Sequence, residues 1–270
     1  MIALLLVLAL LQGLVGCKRE EKDLLCVTVL DVGQSECVLL TLGDKTMLID
    51  TGSCVWQDKL VGELASRGVN KLDVLFITHP HEDHYGNARL LLETHTVGAL
   101  ILPKVESEEL GYTILCDTAE RLSVPVQCMS DGDEFSLDGM KCEVFCAFPD
   151  DPTGNNASNV LRVSFGECTL LFMGDAEADA EAALLSRDIS WKCDFLKVGH
   201  HGSATASTAA FLQAVAPKIA AISCGRDNDY GFPHRTVLVG LAAVGAAVYR
   251  TDVAGSLDFI CDGKTVVYEE

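Results

Sequence analysis

The chain has 270 residues, with 39 Asp and Glu against 20 Lys and Arg, which leaves a formal charge of −19 at neutral pH. That balance argues against a protein that coats nucleic acid through a cationic face. A composition of 49% hydrophobic and 22% charged residues excludes disorder for the bulk of the chain.

Residues 1–16 carry no charge, and a stretch that short falls below the roughly 20 residues a helix needs to cross a bilayer. It reads as the apolar region of a signal peptide. Leu14-Val15-Gly16-Cys17 resembles the bacterial lipobox, where the signal is cut ahead of a lipidated cysteine. The mature chain would then begin at Cys17 on a charged tether over 17–23, outside the cytoplasm and held to the membrane as a lipoprotein. Lys18 and Arg19 follow the apolar run instead of preceding it, so an upstream start or a simple amino-terminal anchor is the alternative.

From Leu24 to Val32 the pattern is that of a buried strand, and 37–42 with 46–50 form a hairpin around Gly43-Asp44. A helix over about 56–67 closes at Gly68, a residue suited to a carboxyl cap. An apolar strand at 73–78 leads into a histidine-rich loop and a helix through Leu92. A short strand follows at 98–102, then an exposed helix over 105–122. The second half repeats the style. Strands are expected at 134–137, 141–147, 158–166, 167–174, 194–198, 218–224, 247–251, 255–261 and 264–268, with helices at 176–186, 205–216 and 235–245. No low-complexity linker divides the halves, and Pro149 to Asn159 is the candidate seam. One domain over 24–270 is expected, with two sheets face to face and helices outside.

Of the 12 cysteines none forms a CxxC pair, and Cys142 with Cys146 is the closest spacing. Most sit in apolar runs and read as small buried side chains forming few stable disulfides.

Chemistry concentrates in Thr78-His79-Pro80-His81-Glu82-Asp83-His84, where a strand ends and a helix begins. Three imidazoles and a carboxylate in so short a span are too polar for a core and are standard ligands for zinc and its neighbours. A solvated loop rich in His by chance is the alternative.

This segment matches the HxHxDH signature of the metallo-β-lactamase superfamily, and the chain resembles that superfamily over nearly all of its mature length. Asp31-Val32-Gly33-Gln34, Leu48-Ile49-Asp50-Thr51-Gly52, Met173-Gly174-Asp175, Val198-Gly199-His200-His201-Gly202-Ser203 and Gly231-Phe232-Pro233-His234 follow in the expected order. Together they look like the hydrolase domain of the ComEC competence proteins and their stand-alone secreted relatives. The resemblance implies an α/β fold, a four-layer αββα sandwich, and two divalent metal ions, with zinc the best match and manganese an alternative. It implies one ion on His79, His81 and His201, another on Asp83, His84 and His234, and Asp175 bridging both. For Asp175 a helix cap is the local alternative.

The resemblance also gives Asp83 a catalytic role, orienting a metal-bridging hydroxide. His200 is implied to contact a substrate phosphate, with a supporting hydrogen-bonding role equally open. Asp50 is expected to organise the site without touching metal. Ser203, Arg226 and Tyr230 are candidate substrate-binding residues, with helix capping the alternative for Ser203, Thr205 or Ser207. Where relatives carry Gly-Asp after Gln34, this chain has Ser35-Glu36, so that loop yields no role. The expected function is a binuclear metal-dependent hydrolase acting on an anionic phosphodiester, DNA by resemblance or a smaller ester by charge. Lactam or thioester hydrolysis is the enzymatic alternative, and a surface-binding lipoprotein that keeps the fold without cleaving is the non-enzymatic one.

Overall fold

A computed structural model describes residues 24–269 other than 106, 108, 152 and 153. The expected signal peptide over 1–16, the lipidation site Cys17 and the tether over 17–23 lie outside the described residues. In chain order the strands are β1 (Leu25–Val29), β2 (Val38–Leu42), β3 (Lys45–Ile49), β4 (Lys71–Leu72), β5 (Val74–Phe76), β6 (Thr96–Val97), β7 (Leu100–Pro103), β8 (Val126–Met129) and β9 (Glu134–Leu137). They continue as β10 (Met140–Phe145), β11 (Val160–Phe165), β12 (Cys168–Phe172), β13 (Phe195–Lys197), β14 (Ile219–Ile222), β15 (Ala247–Arg250), β16 (Leu257–Cys261) and β17 (Val266–Glu269). The helices are α1 (Gln57–Ser66), α2 (Glu82–Tyr85), α3 (Ala88–Thr94), α4 (Leu110–Arg121), α5 (Ala178–Leu185), α6 (Ala209–Val215), α7 (Arg235–Ala243) and α8 (Thr251–Ala254).

The first large sheet runs β17-β16-β1-β2-β3-β5-β7-β8 and the second β15-β14-β13-β12-β11-β10-β9. Each changes from antiparallel to parallel pairing partway across, at β3–β5 and at β12–β13. Side-chain alternation makes the layers. In β2, Val38, Leu40 and Leu42 face the core between the sheets while Leu39 faces a second core. That second core is built with Leu60 and Leu64 of α1, Leu91 of α3 and Leu115 of α4. A third, outside the other sheet, joins Leu171 and Leu196 to Leu184 of α5, Phe211 of α6 and Leu241 of α7. Three apolar cores therefore separate four layers, helix, sheet, sheet and helix, the sandwich expected from the sequence.

Differences from expectation have local causes. The helix expected to run through Leu92 is two, α2 and α3, broken around Gly86 and Asn87. Strand β8 carries no apolar period, because it is an edge strand with only Met129 buried. The division between sheets falls near 130–133, after β8, while the loop at 149–159 joins neighbours β10 and β11 within the second sheet. Of the described cysteines, Cys37, Cys142, Cys146, Cys168, Cys193, Cys224 and Cys261 are buried. Among the described residues no helix is long and apolar enough to cross a membrane.

Candidate metal centre

Loops leaving the carboxyl ends of the parallel strands converge between the two sheets, the usual place for a ligand in such an architecture. Asp50 follows β3, the histidine segment follows β5, Asp175 follows β12, and His200 with His201 follows β13. His81 occupies the amino-terminal cap position of α2, so the first turn of that helix carries Asp83 and a buried His84. The turn over 199–202 is left-handed at His200 (φ 47°), His201 (φ 52°) and Gly202 (φ 82°). A side chain in that conformation costs on the order of 1 kcal/mol, and such strain concentrates at functional sites.

Hydrogen bonds fix which ring nitrogen of each imidazole faces the centre. Nδ1 of His84 lies 2.7 Å from Asp50 Oδ2, and Nδ1 of His201 lies 3.0 Å from the Ser223 carbonyl oxygen. Nδ1 of His79 lies 3.0 Å from Thr78 Oγ1, and that hydroxyl donates to Asp50 Oδ2 at 2.8 Å. With those Nδ1 atoms occupied, the Nε2 lone pairs turn inward, the arrangement that prepares histidine for a metal.

The inward atoms form two groups that share Asp175. In one, Asp83, His84, Asp175 and His201 bring ligand-capable atoms within 4.8 Å of one another; in the other, His79, His81 and Asp175 do the same. Asp175 divides its oxygens between them. Its Oδ1 lies 3.3 Å from His84 Nε2 and 3.8 Å from His201 Nε2, and its Oδ2 lies 3.9 Å from His79 Nε2. Nε2 of His84, Nε2 of His201 and Oδ1 of Asp175 are buried and make no hydrogen bond. With both imidazoles neutral, these are three acceptors with no donor between them, which repel one another and leave buried polar atoms uncompensated. A cation relieves both costs, so the donor set fits a divalent metal.

The carboxylates around these imidazoles favour a positive charge, whether carried by a proton or by a metal. Burial would keep His84 neutral, but the carboxylates of Asp175, Asp50 and Asp83 raise its pKa well above the ordinary value. His201 is raised in the same way, burial being outweighed by Asp175 and Asp83. Burial and the neighbouring His84 push His79 well below its usual range. Burial would raise Asp175 and Asp83, yet His84 and His201 hold both below the usual carboxylate range. Asp50 is raised by burial in spite of its bond to His84.

His79, His81, Asp83, His84, Asp175 and His201 are thus brought together. The partition differs from the one the resemblance implied. His201, expected beside His79 and His81, stands with Asp83 and His84, because the Ser223 carbonyl anchors its Nδ1 and aims Nε2 to within 3.4 Å of Asp83 Oδ2. His234, expected on the second ion, belongs to neither group, since its Nδ1 accepts the Ala204 N–H at 2.8 Å. His200 sits half-buried at the edge, its Nε2 3.7 Å from Asp175 Oδ2 and its Nδ1 3.1 Å from Glu177 Oε1.

Ser203 is buried and its hydroxyl lies 2.9 Å from Thr205 Oγ1. The cap of α6 is Thr208, not Ser203, Thr205 or Ser207. Arg226 is turned away: its Nε donates to the Asp252 carbonyl oxygen, and it lines a separate cavity of about 310 Å³ with Asp31, Lys59, Thr251 and Asp252. Tyr230 is exposed and stacks on Phe232 with ring centroids 5.3 Å apart, and Phe232 in turn stacks on His201 at 6.5 Å.

Sequence reasoning missed the residues that hold the others. Ser158 Oγ accepts the Asp175 N–H at 3.1 Å. Thr78 and Ser223 fix imidazoles as described. Lys197 is fully buried and donates to a fully buried Glu36 at 2.6 Å. One signal was available: a lysine inside the apolar run Phe195-Leu196-Lys197-Val198 requires a buried anion.

A family model for the metallo-β-lactamase superfamily matches residues 30–226. The chain is 31% identical over 252 residues to ComE operon protein 3 of Bacillus subtilis (strain 168), covering 86% of this chain and 32% of that protein. It is 31% identical over 246 residues to Recombination protein 2 of Haemophilus influenzae, covering 89% of this chain and 29% of that protein. The chain thus spans about a third of the length of these curated relatives. The crystal structure of the metallo-β-lactamase fold protein YhfI from Bacillus subtilis superposes with a TM-score of 0.61 at 12% identity, covering 87% of this chain and 99% of that one.

Proposed function

The chain belongs to the metallo-β-lactamase superfamily of metal-dependent hydrolases, and on that premise we propose that it hydrolyses phosphodiesters at a two-metal centre, with zinc as the resident ion. The observation that carries this reading is the convergence of three bare acceptors, Nε2 of His84, Nε2 of His201 and Oδ1 of Asp175, in a buried pocket. On this reading Asp83, His84 and His201 would hold one ion and His79 and His81 the other, with Asp175 in reach of both groups. Bound there, divalent ions supply a water acidified toward neutrality and offset charge as it develops on the reacting oxygens.

The remaining steps belong to the chain's own residues. Asp83 has a partly exposed carboxylate, which suits it to orient a water. His200 stands at the mouth with Glu177 and Thr205 on its Nδ1, so its Nε2 edge is turned to an entering substrate oxygen. Tyr230 and Phe232 form a parallel aromatic stack from the surface to His201. A ring on the substrate, such as a nucleobase, can extend that stack, which is sequence-tolerant and contributes about 1–3 kcal/mol per base. Hard oxygen ligands and the absence of cysteine from either group favour a phosphoester over a lactam.

The test is metal content and turnover on the same preparation. Protein loaded with zinc or manganese is expected to retain two equivalents and to cleave bis-para-nitrophenyl phosphate, and Asp175→Ala is expected to lose both properties. Wild-type protein that holds two equivalents yet cleaves neither that ester nor single- or double-stranded DNA would leave hydrolysis of phosphodiesters without support.

A further inference from the structure

Residues on the first sheet supply His79, His81, Asp83 and His84, and residues on the second supply Asp175 and His201. Whatever sets the spacing between the sheets at this end also sets the spacing of the ligands. Between them lies an ion pair that no catalytic step uses. Glu36, in the turn between β1 and β2, and Lys197, the last residue of β13, are both fully buried. Lys197 Nζ lies 2.6 Å from Glu36 Oε2. Alternation along β13 puts Phe195 in the core between the sheets and Leu196 in the outer core, so Lys197 occupies an inward position.

Each end of the pair grips one half of the centre. The Glu36 N–H donates to the Asp83 carbonyl oxygen at 3.1 Å, and its own carbonyl accepts the Gly52 N–H at 2.8 Å. Lys197 Nζ also donates to the Val198 carbonyl oxygen at 3.1 Å, three residues ahead of His201. The neighbouring residues repeat the link. Ser223, whose carbonyl holds His201, donates its hydroxyl to the Ser35 carbonyl oxygen at 2.7 Å, and Gln34 Oε1 accepts the Gly225 N–H at 2.9 Å.

Stability alone does not account for the pair. Removing two charges from water is costly, and a well-packed apolar pair of similar volume is commonly as stable or more so. Glu36 Oε1 is buried without a hydrogen bond, so the ion pair is not even fully compensated. What an apolar pair lacks is a directional, fixed-length connection. We propose that Glu36 and Lys197 are positioning residues, a strut that fixes the distance between the Asp83–His84 half and the His201 half of the metal centre and so sets its metal affinity. The inference rests on the two-metal reading of the site.

The experiment separates positioning from support of the fold. Apo wild-type protein, Glu36→Gln and the double variant Glu36→Met/Lys197→Met are titrated with zinc against a chromophoric chelator, and thermal unfolding of each apo-protein is followed by circular dichroism. Glu36→Gln leaves an ammonium buried without its anion and is expected to lose stability and zinc affinity together. The double variant carries the decision. It is expected to unfold close to the wild-type temperature while binding zinc about 10- to 100-fold more weakly, the range for groups that orient a ligand. A stable double variant with wild-type zinc affinity overturns the strut and leaves the metal reading intact. Wild-type protein that takes up no zinc overturns the metal reading and the strut with it.

Discussion

Asp50 lies outside both candidate ligand groups and holds one of their imidazoles, His84, by its Nδ1. Its φ of 57° lies in the left-handed region, which Asp and Asn tolerate better than other side chains. Its Oδ1 accepts the Thr78 N–H at 2.8 Å, and its Oδ2 serves both Thr78 Oγ1 and His84 Nδ1. Asp50→Asn keeps the shape and the backbone preference but replaces one shared acceptor with a donor that faces the ring. The fold is expected to survive and zinc affinity to fall about 10- to 100-fold, read by competition with a chelator. Unchanged affinity would remove Asp50 from the machinery that aims His84. At this scale the sequence was informative where ligands cluster within a few residues, as from His79 to His84. Where the partner is distant, the sequence did not identify it: a lysine in an apolar run signals a buried anion, but nothing local to Lys197 points to Glu36. The grouping of His201 with Asp83 and His84 has the same origin: its direction is decided by Ser223, the residue after β14, and not by its neighbours in the chain.

Among elements, those with an internal period were legible and those defined by tertiary contact were not. The β2–β3 hairpin and helix α1, closed at Gly68 with its N–H on the Ala65 carbonyl, fell close to their expected limits. Two-residue strands β4 and β6, which pair only with each other, are too short to carry a period. The 199–202 turn carries His201 into the centre. Gly202 has a φ of 82°, and a Cβ there would lie 2.5 Å from Pro233 Cβ. Its carbonyl also accepts the His234 N–H at 2.9 Å. Gly202→Ala therefore meets backbone strain and a clash at once, with an expected loss of about 2 kcal/mol, or roughly 4–8 °C in Tm for a domain of this size. Thermal unfolding of the apo-protein reads it directly, and an unshifted Tm would show that the turn relaxes freely.

On the scale of the whole molecule, the formal charge of −19 opposes the anionic substrates proposed for the centre. Two divalent ions would attract a phosphate at close range, whereas the protein's net negative charge repels a polyanion at a distance, and salt separates the two. The screening length shrinks from about 30 Å at 0.01 M to about 10 Å at 0.1 M, so long-range repulsion fades with added salt while contacts inside a buried pocket are screened much less. Proteins that grip DNA through cationic surfaces behave in the opposite sense, losing affinity steeply as salt rises. For the metal-loaded protein, KM toward a single-stranded oligonucleotide is therefore expected to fall several-fold between about 10 mM and about 100 mM monovalent salt. KM toward bis-para-nitrophenyl phosphate, which carries a single negative charge, is expected to move far less over the same range. Initial rates with a fluorescent oligonucleotide measure the first and absorbance the second. An oligonucleotide KM that climbs with salt would mean that a local cationic surface, and not the net charge, governs the approach of the strand.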